Sequence, residues 1–159
     1  LGDSMVQKIK GYDLSRSIKF KSNVKVRTFS DAKVRSMVDH IKPTIREYQP
    51  DHVIIHAATN DLPNDDKTPI QICNDLINLA ASIKTQDIEV AISAIVPRGD
   101  SYNEKAMLVN NYLQNIIENT GYKFIRHDNI KPENHLNGSK LHLNQKGNSI
   151  FTSNVRGYL

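Results

Sequence analysis

Short apolar runs that fit strands alternate along the chain with longer stretches that fit amphipathic helices. Four segments have the apolar content or the period-two alternation of strands, namely residues 24–29 (VKVRTF), 52–58 (HVIIHAA), 88–96 (IEVAISAIV) and 122–127 (YKFIRH). Apolar residues recur at helical spacing in residues 33–48, 69–84, 102–119 and 145–159. This βαβα order predicts an α/β fold with a mostly parallel sheet covered by helices on both faces.

The first residues of the chain add a further strand to this prediction. Ser4 is followed three residues later by Gln7, and Ser101 by Glu104, which is the spacing of a capping box at the start of a helix. A helix that starts at Ser4 needs a strand to lead into it, so we expect a strand immediately before Leu1 and about five strands in all. The absence of an initiating Met agrees with this expectation of a fragment cut from a longer polypeptide.

The composition fits one domain over residues 1–159. Of the 159 residues, 38% are hydrophobic and 24% are charged, and no tract has the composition of a linker, a repeat or a disordered segment. No apolar run approaches the length of a membrane span. The single cysteine, Cys73, cannot form an internal disulfide, which favours a reducing, cytoplasmic location.

The net charge of +4 is unevenly distributed. Residues 1–35 carry nine Lys or Arg side chains against three Asp, so this basic N-terminal third has a charge of +6 and the rest of the chain −2. Such a surface attracts phosphates, which makes nucleic acid a candidate partner. The commoner reason for such a count is a solvated lysine-rich face, and both interpretations stay open.

Polar residues follow several of the predicted strands. Ser4 comes after the expected first strand, Asp31 after residues 24–29 and Asn60 after residues 52–58, while His142 precedes the last helix. Because active sites of parallel α/β sheets gather at the carboxyl ends of the strands, we expect these residues at one edge of the sheet.

Three of these motifs resemble those of a known family. GDS at the start, TND after the third predicted strand and LHLN near the end resemble the SGNH, or GDSL-type, serine hydrolases. HAATNDL, IVPRGDSYNEK and SKLHLNQKGN are most similar to the esterase domain encoded in the first reading frame of some non-LTR retrotransposons. The resemblance implies a flavodoxin-like three-layer α/β/α fold and hydrolysis of small acyl esters, acetyl esters above all, without a cofactor.

The resemblance also implies a role for each motif residue. Ser4 would be the nucleophile and His142 the general base, with the oxyanion held by the backbone N–H groups of Ser4 and Asp31 and by the Asn60 side chain. A serine hydroxyl is a weak nucleophile until an imidazole takes its proton, and the oxyanion needs preorganised donors. Ser101, in the second GDS, is interpreted as a helix cap.

Three positions depart from the family pattern. Ser139 stands where the family has the aspartate that orients the histidine, and Asp31 and Ala58 stand where it has glycines. Ser139, a backbone carbonyl and Asp128 are therefore the candidate groups for orienting His142. These departures favour a Ser–His dyad of modest activity; the alternative is a catalytically weakened module that binds RNA, lipid or protein within a retroelement protein.

Other functional classes find little support. His127, His135 and His142 have no spacing typical of a zinc site, so no metal is expected. The chain has neither GxxxxGK[ST] nor GxGxxG, which argues against nucleotide binding through a P-loop or a Rossmann turn. Cys73 lies among apolar residues at helical spacing and is interpreted as a core residue. His56, on an apolar strand, is interpreted as a core residue or as a residue that supports Asn60.

Overall fold

The computed structural model describes residues 1–17, 23–85 and 87–159. Lys19, Phe20 and Lys21 of the basic N-terminal third lie outside the described residues. The helices are α1 (Gly11–Ser17), α2 (Val34–Tyr48), α3 (Pro69–Ile83), α4 (Asn103–Ile117), α5 (Pro132–His135) and α6 (Gln145–Tyr158), and the strands are β1 (His52–Ile55), β2 (Glu89–Ser93) and β3 (Lys123–Ile125). Two 3₁₀ turns, Ser4–Val6 and Thr59–Asp61, complete the described elements.

The sheet is parallel and extends beyond its three regular strands. β2 lies between β1 and β3, with Val53 beside Val90 and Ile92 beside Phe124. On the free side of β1, Gly2 forms parallel bridges with both His56 and Thr28. The pairing order is therefore residues around Thr28, then Leu1–Asp3, β1, β2 and β3, so the predicted parallel α/β fold is confirmed.

The strand predicted over residues 24–29 is reduced to the single bridge at Thr28, and the prediction is wrong in extent. The N–H of Gly2 donates to the carbonyl of Arg27 at 3.0 Å, and the N–H of Phe29 donates to the carbonyl of Gly2 at 2.8 Å. The neighbouring segment, Leu1–Asp3, lies beside the end of this run only. A strand needs a continuous partner for its ladder, and Val24–Val26 are not assigned to one.

Two apolar clusters, one on each face of the sheet, explain why consecutive residues of β1 are apolar. Val53 and Ile55 of β1 pack with α2, α3 and α4, whereas Ile54 packs with Leu14 of α1 and Phe151 of α6. Successive side chains of a strand point to opposite faces, so the run HVII supplies both clusters. Among the described residues, no helix combines the length and apolarity needed to cross a bilayer.

The capping boxes predicted at Ser4 and Ser101 are wrong. Asp3, not Ser4, caps the first 3₁₀ turn by accepting a hydrogen bond from the N–H of Met5 at 3.0 Å. The helix predicted from residue 102 is preceded by Tyr102, which makes no side-chain cap, and the N–H of Tyr102 donates to Asp100 at 3.1 Å. At both sites an aspartate next to the serine starts the turn instead, by accepting a hydrogen bond from the N–H two residues later, that of Met5 or of Tyr102.

Candidate functional site

Ser4 opens a short turn held at the centre of the sheet. The N–H of Asp3 donates to the carbonyl of His56 at 3.1 Å, and the N–H of Gln7 closes the turn on the Ser4 carbonyl at 3.3 Å. Ser4 itself is half-buried. Among the hydrogen bonds of the described residues, none uses the backbone N–H or the hydroxyl of Ser4, so both groups are free to meet a substrate.

Asp3, the neighbour of Ser4, is a fully buried carboxylate. Burial raises the pKa of this carboxyl to about 6, although the N–H of Met5 and the N–H and hydroxyl of Thr59 oppose the rise by stabilising the charge. One of its oxygens has no hydrogen-bond partner within the described residues. The turn that presents Ser4 is thus supported by a group that is costly to ionise.

Asp31 lies in a tight turn after the first bridge. The N–H of Ala32 donates to the carbonyl of Phe29 at 3.2 Å, and Asp31 has a φ of 58°, in the left-handed region. A turn with a positive φ at its third residue favours glycine, and aspartate tolerates this region better than most other residues. The backbone N–H of Asp31 makes no hydrogen bond to any other described residue.

Asn60 lies in the 3₁₀ turn after β1 and is tied to the Asp31 turn. Its side-chain amide donates one N–H to the carbonyl of Ala32 at 3.2 Å. An asparagine amide carries two N–H donors, so one remains for a ligand. Ala58, two residues before Asn60, is completely buried with a φ of 88°. The two positions at which the resembling family has glycines therefore both have left-handed backbones here.

Arg98, which the sequence analysis did not single out, links the loops around Asn60 and His142. Its guanidinium pairs with Asp100, with Nε 2.8 Å from Oδ1, and its Nη1 donates to the carbonyl of Thr59 at 3.4 Å. The next residue, Gly99, donates its N–H to the carbonyl of Lys140 at 2.9 Å. A Cβ at Gly99 would lie 2.8 Å from the Lys140 Cβ, so this close approach requires glycine.

His142 is carried by the loop before α6. Leu136 and Leu143 form an antiparallel bridge, and the N–H of Asn137 donates to the His142 carbonyl at 2.8 Å. Asn144 caps α6 by accepting from the N–H of Gly147. These contacts fix the backbone of the half-buried His142.

The two side chains proposed to orient His142 have other partners. The Ser139 hydroxyl hydrogen-bonds to the Asn137 side chain and accepts from the backbone N–H of His142 at 3.3 Å. Asp128 pairs with Arg126 at 2.6 Å. Within residues 1–17, 23–85 and 87–159 the His142 ring makes no hydrogen bond, so the roles of Ser139 and Asp128 stay predictions.

The structure brings the motif-bearing loops to one edge of the sheet. The Ser4 turn contacts the end of β1 through His56, the Asn60 turn contacts the Asp31 turn, and Arg98 and Gly99 connect Thr59 to Lys140. Ser4 and His142 make no hydrogen bond to each other among the described contacts. The nucleophile, base and oxyanion roles therefore stay predictions supported by the placement of the loops.

A buried ionic cluster anchors the Asn60 turn and was also not foreseen. Asp61 accepts from the N–H of Val34 at 2.9 Å and from Lys67 at 2.5 Å, and Lys67 also reaches Asp75 at 2.7 Å. Burial disfavours both charges, but the hydrogen bonds prevail: they raise the pKa of Lys67 and, with Arg35, lower that of Asp75. The sequence predicts that Asp61 either caps a turn or holds the Asn60 loop, and its contacts with Val34 and Lys67 agree with the second role.

His56 and His127 belong to a buried hydrogen-bonded chain. His56 Nδ1 lies 3.0 Å from Ser93 Oγ, which lies 2.7 Å from His127 Nε2, and His127 Nδ1 lies 2.9 Å from the Asn154 amide. If the Asn154 amide donates to His127 Nδ1, then His127 Nε2–H donates to the Ser93 hydroxyl, and this hydroxyl donates to His56 Nδ1. The proton of the His56 ring is then on Nε2, which is buried without a partner among the described residues. Burial lowers the pKa of His127 to about 4 and that of His56 well below its usual range.

The remaining histidine of the metal hypothesis, His135, accepts from the N–H of Lys131 at 2.8 Å. In the part of the chain that the structure describes, no three His, Cys, Asp or Glu side chains converge as metal ligands would.

No protein-family model and no curated protein matches the chain. Solved structures do match it. A lipolytic protein of the G-D-S-L family from Veillonella parvula has a TM-score of 0.82 at 16% identity, covering 97% of this chain and 92% of that one. The lipase/acylhydrolase from Enterococcus faecalis has a TM-score of 0.80 at 14% identity, with coverage of 99% and 91%. A family 3 carbohydrate esterase from Talaromyces cellulolyticus has a TM-score of 0.77 at 14% identity, with coverage of 99% and 93%. At such low identity these likenesses establish the fold, which is the one that GDSL-type proteins share.

Proposed function

We propose that this chain is a serine hydrolase of small acyl esters, with Ser4 as nucleophile and His142 as general base. The observation that carries the proposal is the placement of the GDS, TND and LHLN motifs on loops at one sheet edge, in a fold shared with proteins named as lipases and esterases. Two of the three oxyanion donors, the N–H groups of Ser4 and Asp31, are without partners among the described residues, and Asn60 has a second N–H to give.

The reaction divides into two half-reactions. The Ser4 oxygen attacks the ester carbonyl carbon while the imidazole of His142 takes the hydroxyl proton, and the carbonyl oxygen becomes an oxyanion held by the three donors. Collapse breaks the bond to the alcohol, which leaves with the proton from His142. Water then attacks the acyl-Ser4 ester with the same base, releasing the carboxylic acid and restoring Ser4.

The activity we propose is modest because the usual orienting carboxylate is absent. In serine proteases an aspartate that holds the imidazole in the useful tautomer is worth about 10⁴ in rate. Ser139 supports the backbone of His142, which fixes the loop but leaves the ring without that partner. The assignment to the retrotransposon branch rests on the sequence motifs alone and remains a proposal, as does binding of nucleic acid by the basic N-terminal third.

The two GDS tripeptides supply a matched pair of variants. We expect a fluorophosphonate probe to label the wild type and Ser101→Ala but not Ser4→Ala, and p-nitrophenyl acetate hydrolysis to fall by about 10³-fold or more in Ser4→Ala alone. Thermal unfolding of all three proteins controls for loss of fold. Equal labelling of Ser4→Ala would disprove the nucleophile, and no labelling of the wild type at any pH would favour the weakened binding module.

A further inference from the structure

Arg98 is a buried arginine that contacts the turn carrying Asn60, and the residue after it contacts the loop carrying His142. The Arg98 residue is only 6% exposed, although a guanidinium keeps its charge at neutral pH. A charge is costly to bury unless it is paired, and Asp100 pairs with it through both carboxylate oxygens, with Nε 2.8 Å from Oδ1. The hydrogen bonds from Arg98 lower the pKa of the Asp100 carboxyl in turn. The two side chains therefore form one ionic unit beside the candidate site.

On the Asn60 side, Arg98 contacts the peptide group that leads into the asparagine. Its Nη1 donates to the carbonyl of Thr59 at 3.4 Å. This carbonyl belongs to the same planar peptide unit as the N–H of Asn60, so the contact restricts the direction in which Asn60 leaves the turn. Thr59 is itself buried, and its N–H and hydroxyl interact with the Asp3 carboxylate beside Ser4. Thr59 thus links Arg98 to the turn of the candidate nucleophile as well.

On the His142 side, the backbone next to Arg98 holds the loop. The N–H of Gly99 donates to the carbonyl of Lys140, two residues before His142, at 2.9 Å. Because a Cβ at Gly99 would lie 2.8 Å from the Lys140 Cβ, the two segments are in close contact. The N–H of Arg98 donates to the Asn103 side chain at 2.8 Å, which ties the same segment to the start of α4.

We propose that Arg98 is a positioning residue that holds the Asn60 turn and the His142 loop at a fixed spacing, an inference that rests on the proposed function. The candidate oxyanion donor and the candidate base lie on loops that are distant in sequence, so their spacing depends on contacts between those loops. Arg98 and Gly99 supply one contact to each loop. A displacement of about 1 Å can lower the rate of a reaction that needs aligned groups by about 10²-fold.

The first test is amide exchange in Arg98→Lys. This substitution keeps the charge but removes the planar fork, so one side chain no longer holds Asp100 through two N–H groups while it reaches Thr59. We expect the Gly99 amide, followed by NMR, to exchange about tenfold faster or more, while the amides of β2 change little. Faster exchange at Gly99 and β2 alike is the result of a general loss of stability.

Arg126→Lys is the matched control for the exchange experiment. Arg126 forms a pair of the same sequence spacing with Asp128, but both side chains are more than half exposed. Exchange of the Gly99 amide in this variant should equal that of wild type.

The second test is steady-state kinetics on p-nitrophenyl acetate. We expect Arg98→Lys to lower kcat by about tenfold or more and to change KM by less than about threefold, since the misplaced groups act on the reacting atoms. The rate is expressed per Ser4 titrated with a fluorophosphonate probe, so that unfolded protein is not counted. A structural role alone leaves this rate at the wild-type value.

Either test can overturn the proposal. Equal exchange of the Gly99 amide in wild type and Arg98→Lys would show that Arg98 does not hold the His142 loop. Faster exchange with an unchanged kcat per titrated Ser4 would show that the spacing does not limit the reaction. Failure of the proposed function gives a different result, because hydrolysis by the wild type would then not depend on Ser4. That result would also remove the catalytic part of this proposal, whereas the exchange at Gly99 would still decide whether Arg98 holds the loop.

Discussion

Asp31 combines a strained backbone with an unfavourable charge. Its N–H is a candidate oxyanion donor, whereas in the proposed reaction its carboxylate would place a negative charge near the negative charge of the transition state. The side chain is exposed, so solvent screens much of this effect. The left-handed φ of 58° is one that asparagine adopts as readily as aspartate.

We therefore expect Asp31→Asn to raise kcat on p-nitrophenyl acetate by a few-fold, since it removes the charge and keeps the conformation. Asp31→Gly is the matched variant, because it removes the charge and relieves the backbone, and it should raise kcat to a similar extent. Steady-state kinetics at low ionic strength measure both. A lower kcat in both variants would mean that the carboxylate assists the reaction, contrary to the electrostatic argument.

Ionisation of the buried Asp3 carboxyl lowers the free energy of unfolding. Its folded pKa, raised to about 6, exceeds the usual value of 3.8, so the neutral form is favoured in the folded protein. The stabilisation from this preference is present below pH 3.8 and is lost as the pH rises through 6. We expect Asp3→Asn to be more stable than wild type by about 1–3 kcal/mol at pH 7, with little difference at pH 4.

Urea denaturation at the two pH values measures this difference. Asp128→Asn is the control, because Asp128 is exposed and paired with Arg126, and its effect should be small at both. A destabilised Asp3→Asn at pH 7 would show that the interactions of the carboxylate with Met5 and Thr59 outweigh its burial.

At the level of elements, three positions have the spacing of a capping box, and the box forms at only one of them, Thr68. At the start of α3, Thr68 accepts from the N–H of Gln71, and Gln71 accepts from the N–H of Thr68. Ser4 and Ser101 have the same spacing to Gln7 and Glu104, but aspartates take their place. The motif specifies two residues at the right spacing and says nothing of a neighbouring aspartate that caps the turn from a different position.

We expect Thr68→Ala to lower the free energy of unfolding by about 1 kcal/mol, as the loss of an N-cap usually does. Ser101→Ala has the same sequence context and should change it by less than about 0.5 kcal/mol. Chemical denaturation of both variants measures the contrast. A similar loss in the two variants would mean that Ser101 caps α4 in solution.

The strands and helices could be predicted from periodicity, and the rest depended on contacts distant in sequence. The predicted segments contain all three strands and the four long helices, because the local spacing of apolar residues indicates the buried face of each element. The run 24–29 failed because a strand also needs a neighbour. The candidate site residues were proposed from their motifs, whereas Arg98 and Lys67 were missed because no motif indicates their contacts with the Thr59 carbonyl and with Asp75.

At the scale of the whole molecule, the buried histidine chain couples stability to pH. His56, Ser93 and His127 connect β1, β2 and the loop after β3, and both rings pack on Phe151 of α6. A proton added to His127 Nδ1 would face the amide donor of Asn154. The folded protein therefore holds both histidines neutral, in agreement with their lowered pKa values.

The sign of the effect follows from those shifts. A histidine with a lowered folded pKa contributes stability above its unfolded value of 6.5, and the contribution is lost as the pH falls towards the folded value, about 4 for His127. Protonation of His127 alone should cost about 2 kcal/mol between pH 7 and pH 5, and protonation of His56 acts in the same direction. Protonation of Asp3 offsets part of this loss.

Because Asp3 and the two histidines shift the stability in opposite directions, the wild type and Asp3→Asn should differ in how their stability depends on pH. Urea denaturation should show wild type losing stability between pH 7 and pH 5, and Asp3→Asn losing about 1 kcal/mol more over the same range, because the compensating carboxyl is gone. His40→Gln, at an exposed histidine on α2, is the surface control for this measurement. A flat profile in wild type would show that the buried rings are protonated without cost, and equal slopes in wild type and Asp3→Asn would show that Asp3 ionises normally.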